Sequence, residues 1–153
     1  PRVLDAPGEY EIGGVFVTGL SAFHDQKKGE QRGRNTIYHV DYGDATFLHL
    51  GDLGAVPTES QIGDFDVDVL FIPVGGGPTI NAAQASEVVS IIEPKIVIPM
   101  HYKTAALKGI KLDTVDGFLK AMGAGSPTPV ESLRIVKSEL PEETKVVLME
   151  YQH

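Results

Sequence analysis

The sequence predicts an α/β domain, and three observations carry that prediction. The first third consists of short apolar segments punctuated by Gly and Pro. Residues 67–74 and 95–100 are continuous, β-branched-rich runs of the kind found in strands covered on both faces. Between those two runs lies a stretch with helical periodicity, which makes a β-α-β unit. At 153 residues, 42% apolar and 22% charged, the chain has the size and composition of one domain, 1–153, with a sizeable core.

Residues 2–4, 9–12 and 14–19 read as short strands separated by Pro7-Gly8 and Gly13-Gly14, the third of them apolar on both faces. His24 follows, and then a polar, Gly-containing loop, DQKKGEQRGR, over 25–34. The runs NTIYHVDY and ATFLHL are strand-like and join at Gly43-Asp44 as a hairpin. VDVLFIPV, 67–74, is a buried strand that turns at Gly75-Gly76-Gly77-Pro78. Asn81 can cap the next helix, with Gln84 three residues on as in a capping box. Ala85, Val88, Val89 and Ile92 form its apolar face and Pro94 stops it. KIVIPMH is a second buried strand. A further helix is expected from an Asp113 cap through Val115, Phe118, Leu119 and Met122 to Gly123, and after the loop GAGSPTP the runs LRIVK and TKVVLME are expected as two closing strands.

Three ligand-type residues end apolar runs: His24 in SAFHD, Asp52 in FLHLGDLG and His101 in IVIPMHYKT. Imidazole and carboxylate are the donors a borderline divalent ion takes in an open site, and strand ends are where a sheet can aim them into one cleft. The chemistry this implies is metal-assisted hydrolysis. Each residue also has an ordinary reading: a lone His beside a strand is commonly a hydrogen-bonded structural residue, and Gly51-Asp52-Leu53-Gly54 could be a turn whose Asp caps backbone amides. His39, in mid-strand, reads as structural. His49, three residues before Asp52, reads as support that orients the Asp52 loop through a hydrogen bond. Lys27, Lys28, Arg32 and Arg34 cluster after His24; such a loop is either simply solvated or anchors an anionic substrate, with Lys27 and Arg34 as the candidate contacts. Gly75-Gly76-Gly77 fits neither phosphate-loop pattern and reads as a tight strand-to-helix turn.

Composition excludes several classes. With no cysteine there is neither a disulfide framework nor a thiolate zinc site, which suits a reducing, cytoplasmic setting. The net charge of -8, from 13 basic and 21 acidic residues, opposes a general nucleic-acid surface. No apolar run is long enough to span a bilayer. The opening PRVLDAPGEYEIGG, strand-like and without an initiator Met, reads as a chain cut in mid-domain.

The stretch from GEYEIGGV through the HD loop to RGRNTIY, then FLHLGDLG, LFIPVGGGPTINAAQA and KIVIPMHYKT, resembles the metallo-β-lactamase superfamily, in particular its ascorbate-6-phosphate-lactonase-like branch of zinc-dependent hydrolases. The resemblance covers nearly the whole chain, and HLGDLG and IPMHY are its most specific parts. It implies an αβ/βα sandwich, amino-terminally truncated here, of which this chain supplies the later part with an apolar sheet face left open. It further implies a dinuclear zinc or manganese centre in which His24 and His101 serve different ions and Asp52 bridges them. The family's upstream HxHxDH cluster is not in this sequence, so each ion lacks two of its protein ligands and the fragment alone is expected to be inactive.

The expected function is therefore a metal-dependent hydrolase of a lactone, ester or phosphodiester, acting on a small anionic molecule. The alternative is a structural or interaction module whose ligand positions are vestigial and which pairs with another chain through its open sheet. Self-association is left open.

Overall fold

The computed structural model describes residues 3–62 and 64–151. Seven strands form one mixed sheet in sequential order: β1 (Gly8–Ile12), β2 (Val15–Phe23), β3 (Arg34–Asp41), β4 (Thr46–His49), β5 (Val69–Pro73), β6 (Ile96–Met100) and β7 (Lys145–Val146). The first three pairings are antiparallel and the last three are parallel. Two reversals separate β2 from β4, so β2, β4, β5 and β6 all run the same way. Their carboxyl ends share one edge of the sheet. His24, the loop with Asp52, and His101 follow three of those ends.

One face of the sheet carries the main core. Leu48, Leu70, Ile72 and Val97 are buried there against helix α2 (Ala82–Ile92), through Ala85, Val88 and Val89, and helix α3 (Asp116–Ala121), through Phe118 and Leu119. A short helix α1 (Glu59–Ile62) adds Ile62. The α2 capping box forms as expected: the Gln84 amide donates to the Asn81 side chain at 3.0 Å and the Asn81 amide to Gln84 Oε1 at 3.1 Å. Glu93, at φ 51°, closes the helix just before Pro94.

The second face is covered over β5–β7, where Val69, Ile96, Ile98 and Val147 pack under Val130, Leu133, Ile135 and Leu140. Over β1–β4 the cover thins. Register puts Tyr10, Val17, Val40 and Phe47 in one row across the strands, and all four are half-buried. Among the described residues no helix is long and apolar enough to cross a membrane.

Four expectations need correction. Val3 and Leu4 lie in no strand, and residue 2 is outside the described residues. LRIVK is not a strand: its alternating apolar residues lie across the sheet as a cover, then turn at Lys137–Glu139, because alternation suits a covering segment as well as an edge strand. TKVVLME pairs only at Lys145–Val146, with one isolated bridge from Val130 to Met149. Asp113 caps nothing; α3 starts at Asp116, and the Asp113 backbone is bonded to Gly75 and Lys103.

Candidate metal centre

His24 enters the site directly from β2, and its position is set by backbone contacts. Its amide donates to the Gly33 carbonyl at 3.2 Å, closing the 25–33 loop, while the carbonyl of Phe23 accepts from Gly54 at 2.9 Å. Inside the loop the Asp25 carboxylate, 7% exposed, accepts four backbone amides: Lys27 and Gly29 on Oδ1, Gln31 and Arg32 on Oδ2, at 2.8–3.1 Å. Burial works against ionisation of Asp25, but these four donors outweigh it and hold its pKa below the ordinary carboxylate value.

The Asp52 loop is held by two side chains. Asn35 donates through Nδ2 to the Leu50 carbonyl at 2.7 Å and accepts the Asp52 amide on Oδ1 at 3.1 Å. His49 accepts the Gly51 amide on Nδ1 at 3.1 Å, which fixes that nitrogen as the unprotonated one. Desolvation lowers the His49 pKa against the upward pull of the Asp52 carboxylate. His101 follows β6 at φ 52°, a left-handed conformation that few residues other than glycine adopt without cost. Its carbonyl accepts the Gly75 amide at 3.1 Å.

Two glycines let these loops meet. A β-carbon on Gly54 would overlap the backbone of His24 and Asp25, and one on Gly75 would overlap the His101 carbonyl. Sequence reading singled out neither contact, nor Asn35 and Asp25 as organisers. The signal for them is tertiary, since it appears only when the strand ends are brought together.

His24, Asp52 and His101 do converge. His24 Nε2 lies 3.8 Å from Asp52 Oδ2, and His101 Nε2 lies 3.8 Å from Asp52 Oδ1, so each carboxylate oxygen faces its own imidazole. At that separation neither contact is a hydrogen bond. His24 Nε2 is buried and has no hydrogen-bond partner, and neither has His101 Nδ1. Two donors each roughly 2.0–2.2 Å from one tetrahedral ion stand about 3.4 Å apart, close to what each pair shows. The donor set thus fits divalent metal, but as two pairs sharing Asp52: among the described residues no three His, Cys, Asp or Glu group around a single point. Each ion would receive two donors from this chain, fewer than the three protein ligands usual in an open catalytic zinc site.

The other polar residues separate. His39 packs on Phe65 with ring centres 4.5 Å apart and has its Nε2 3.4 Å from the Asp66 carbonyl, away from the site. Lys27 and Arg32 line a polar groove between the 25–33 loop and the Gly77–Thr79 turn. Arg34 is in β3, exposed, paired with Phe23, and does not line that groove.

A family model described as a beta-lactamase superfamily domain matches residues 1–101, which include His24, Asp52 and His101. The chain belongs to the metallo-β-lactamase superfamily. A solved structure from Thermotoga maritima, a candidate zinc-dependent hydrolase of this superfamily, superposes with a TM-score of 0.82 at 40% identity over 99% of this chain and 73% of that one. A metal-dependent hydrolase of Staphylothermus marinus is 34% identical over 128 residues, 83% of this chain and 53% of the relative. Another, from Desulforamulus reducens, is 31% identical over 134 residues, 83% of this chain and 58% of the relative. The chain spans about half the length of the curated relatives it matches. The mixed sheet flanked by helices is thus a metallo-β-lactamase fold.

Proposed function

We propose that the chain is part of a metal-dependent hydrolase in which His24 and His101 bind separate divalent ions through Nε2 and Asp52 gives one oxygen to each. The observation that carries this is the division of the Asp52 carboxylate between two imidazoles, each 3.8 Å away. A carboxylate that bridges through both oxygens has them aimed at two ions, as here, whereas an Asp that caps a turn would spend them on backbone amides. The names of the relatives agree with a metal, and zinc, with manganese second, is the ion we assign.

Divalent ions held by His24, Asp52 and His101 would lower the pKa of a water toward neutrality and polarise a carbonyl or phosphoryl oxygen. The chain's own residues position that chemistry. Asn35 and His49 fix the Asp52 loop from both sides, and the closed 25–33 ring fixes His24. The reaction class we assign is hydrolysis of a lactone, ester or phosphodiester in a small anionic molecule. The remaining ligands would come from an HxHxDH segment that this sequence does not contain.

The test joins the chain to an HxHxDH-bearing segment and assays generic lactone and phosphodiester substrates with and without chelator. Turnover that chelator stops, that added zinc or manganese restores, and that His101→Ala removes supports the proposal. Chelator-insensitive turnover, or none with metal bound, contradicts it. A second reading, an interaction module, draws on the half-buried row Tyr10, Val17, Val40 and Phe47. It predicts a partner-dependent assembly that Phe47→Lys disrupts, and no metal uptake.

A further inference from the structure

The groove between the 25–33 loop and the Gly77–Thr79 turn, about 380 Å³ in volume, is lined by none of His24, Asp52 and His101. In a chain of net charge -8, two cations line it, Lys27 and Arg32. The one acid on its lining, Asp25, has both oxygens committed to backbone amides. Two of those four amides belong to Lys27 and Arg32 themselves, each donating to Asp25 at 2.8 Å. Asp25 therefore anchors the backbone of both cations while its own charge is bound up in the loop. Such an arrangement presents positive charge with little of the ordering cost that a free loop would incur on binding.

We propose that this groove is a subsite for an oxyanion group, a phosphate or a carboxylate, of a small-molecule substrate, with Lys27 and Arg32 as its charged contacts. Gly54 lines the groove and presses against the His24 backbone, and Asp52 lies two residues before it. A molecule anchored by its anionic end there reaches toward His24 and Asp52 with the rest of its body. The sequence-based pairing of Lys27 with Arg34 is replaced by Lys27 with Arg32. The proposal rests on the hydrolase reading only in calling the occupant a substrate.

The test titrates inorganic phosphate, and separately acetate, into the full chain without metal at constant ionic strength, following the backbone amide resonances of residues 25–33, Gly77 and Thr79. Saturable shifts are expected with at least one of the two, and the tighter probe names the group. Lys27→Gln and Arg32→Gln should each weaken binding about ten-fold, and Lys120→Gln, which removes an equal charge from α3, should leave it unchanged. Both groove variants should keep the loop, because Asp25 bonds to backbone amides that any side chain leaves in place. Absence of saturable shifts with both anions, unchanged binding in both groove variants, or equal weakening by Lys120→Gln overturns the subsite. Zinc titration of the chain joined to an HxHxDH-bearing segment separates the two readings: anion binding without zinc uptake there overturns the hydrolase and leaves the subsite standing.

Discussion

Gly75 and His101 meet backbone to backbone. The Gly75 amide donates to the His101 carbonyl at 3.1 Å, and a β-carbon on Gly75 would overlap that same oxygen. Gly54 approaches His24 as closely: a β-carbon on it would overlap the His24 carbonyl, although its amide donates to the carbonyl of Phe23. Both His24 and His101 are thus located by a glycine on a neighbouring loop, and the obstructing atoms are main chain, which cannot swing aside. We expect Gly54→Ala and Gly75→Ala each to destabilise the fold by about 1–3 kcal/mol and to weaken metal uptake. Urea unfolding and metal titration check this; a variant that matches the parent chain in both would show that the loops have room to separate.

His101 occupies a left-handed conformation at φ 52°. That cost falls on a β-carbon and not on the imidazole, so the two substitutions that remove the ring should differ. We expect His101→Gly to be more stable than His101→Ala by about 1 kcal/mol, although both lose the same imidazole. Equal melting temperatures for the two variants would mean that the backbone relaxes out of the left-handed region once the ring is gone.

Asp68 and Lys137 tie the covering segment 130–140 to the sheet. The Lys137 ammonium lies 2.9 Å from Asp68 Oδ2, and the Thr46 amide and hydroxyl donate to the same oxygen. Burial opposes ionisation of Asp68, but the Thr46 amide and Lys137 outweigh it and lower its pKa, while the hydrogen bond to Asp68 raises that of Lys137. The Asp68 contribution is complete above the unfolded carboxylate value of about 3.9 and is lost as pH falls through the lower folded value. The Lys137 contribution is complete below about 10.4 and is lost as pH rises through its raised folded value. Lys137 is half-exposed, so we expect Lys137→Met to cost only about 1 kcal/mol at neutral pH. Acid unfolding of that variant should begin at a higher pH. An unchanged acid limb in denaturation curves would place the stabilisation of Asp68 in Thr46 alone.

Much of the site could be read from the chain because the features that locate it are local. His24, Asp52 and His101 each follow an apolar run, and the hairpin and β-α-β signals are enough to give those runs one direction. The α2 capping box was legible for the same reason, since Asn81 and Gln84 are three residues apart. What was not legible depends on closure. Asn35 touches Leu50 and Asp52 across 15 and 17 residues, and Gly54 and Gly75 matter only because another loop's main chain arrives at them. The segment 133–137 was misread because a strand edge and a sheet cover ask for the same alternation of apolar and polar residues. The α3 start was misplaced because Asp113, a good cap by type, has its backbone drawn to the Gly75 turn and to Lys103.

The central claim is that His24, Asp52 and His101 are metal donors, and metal stoichiometry by elemental analysis tests it most directly. The chain and its His24→Ala, Asp52→Ala and His101→Ala variants would be loaded with zinc or manganese, freed of excess ion and measured beside their unfolding curves. We expect the chain to retain at most one weakly held ion, because two donors per ion leave it mostly hydrated. Asp52→Ala, which takes a donor from both pairs, should retain essentially none while remaining folded. Equal, measurable metal content in the parent chain and the folded Asp52→Ala variant would contradict the account.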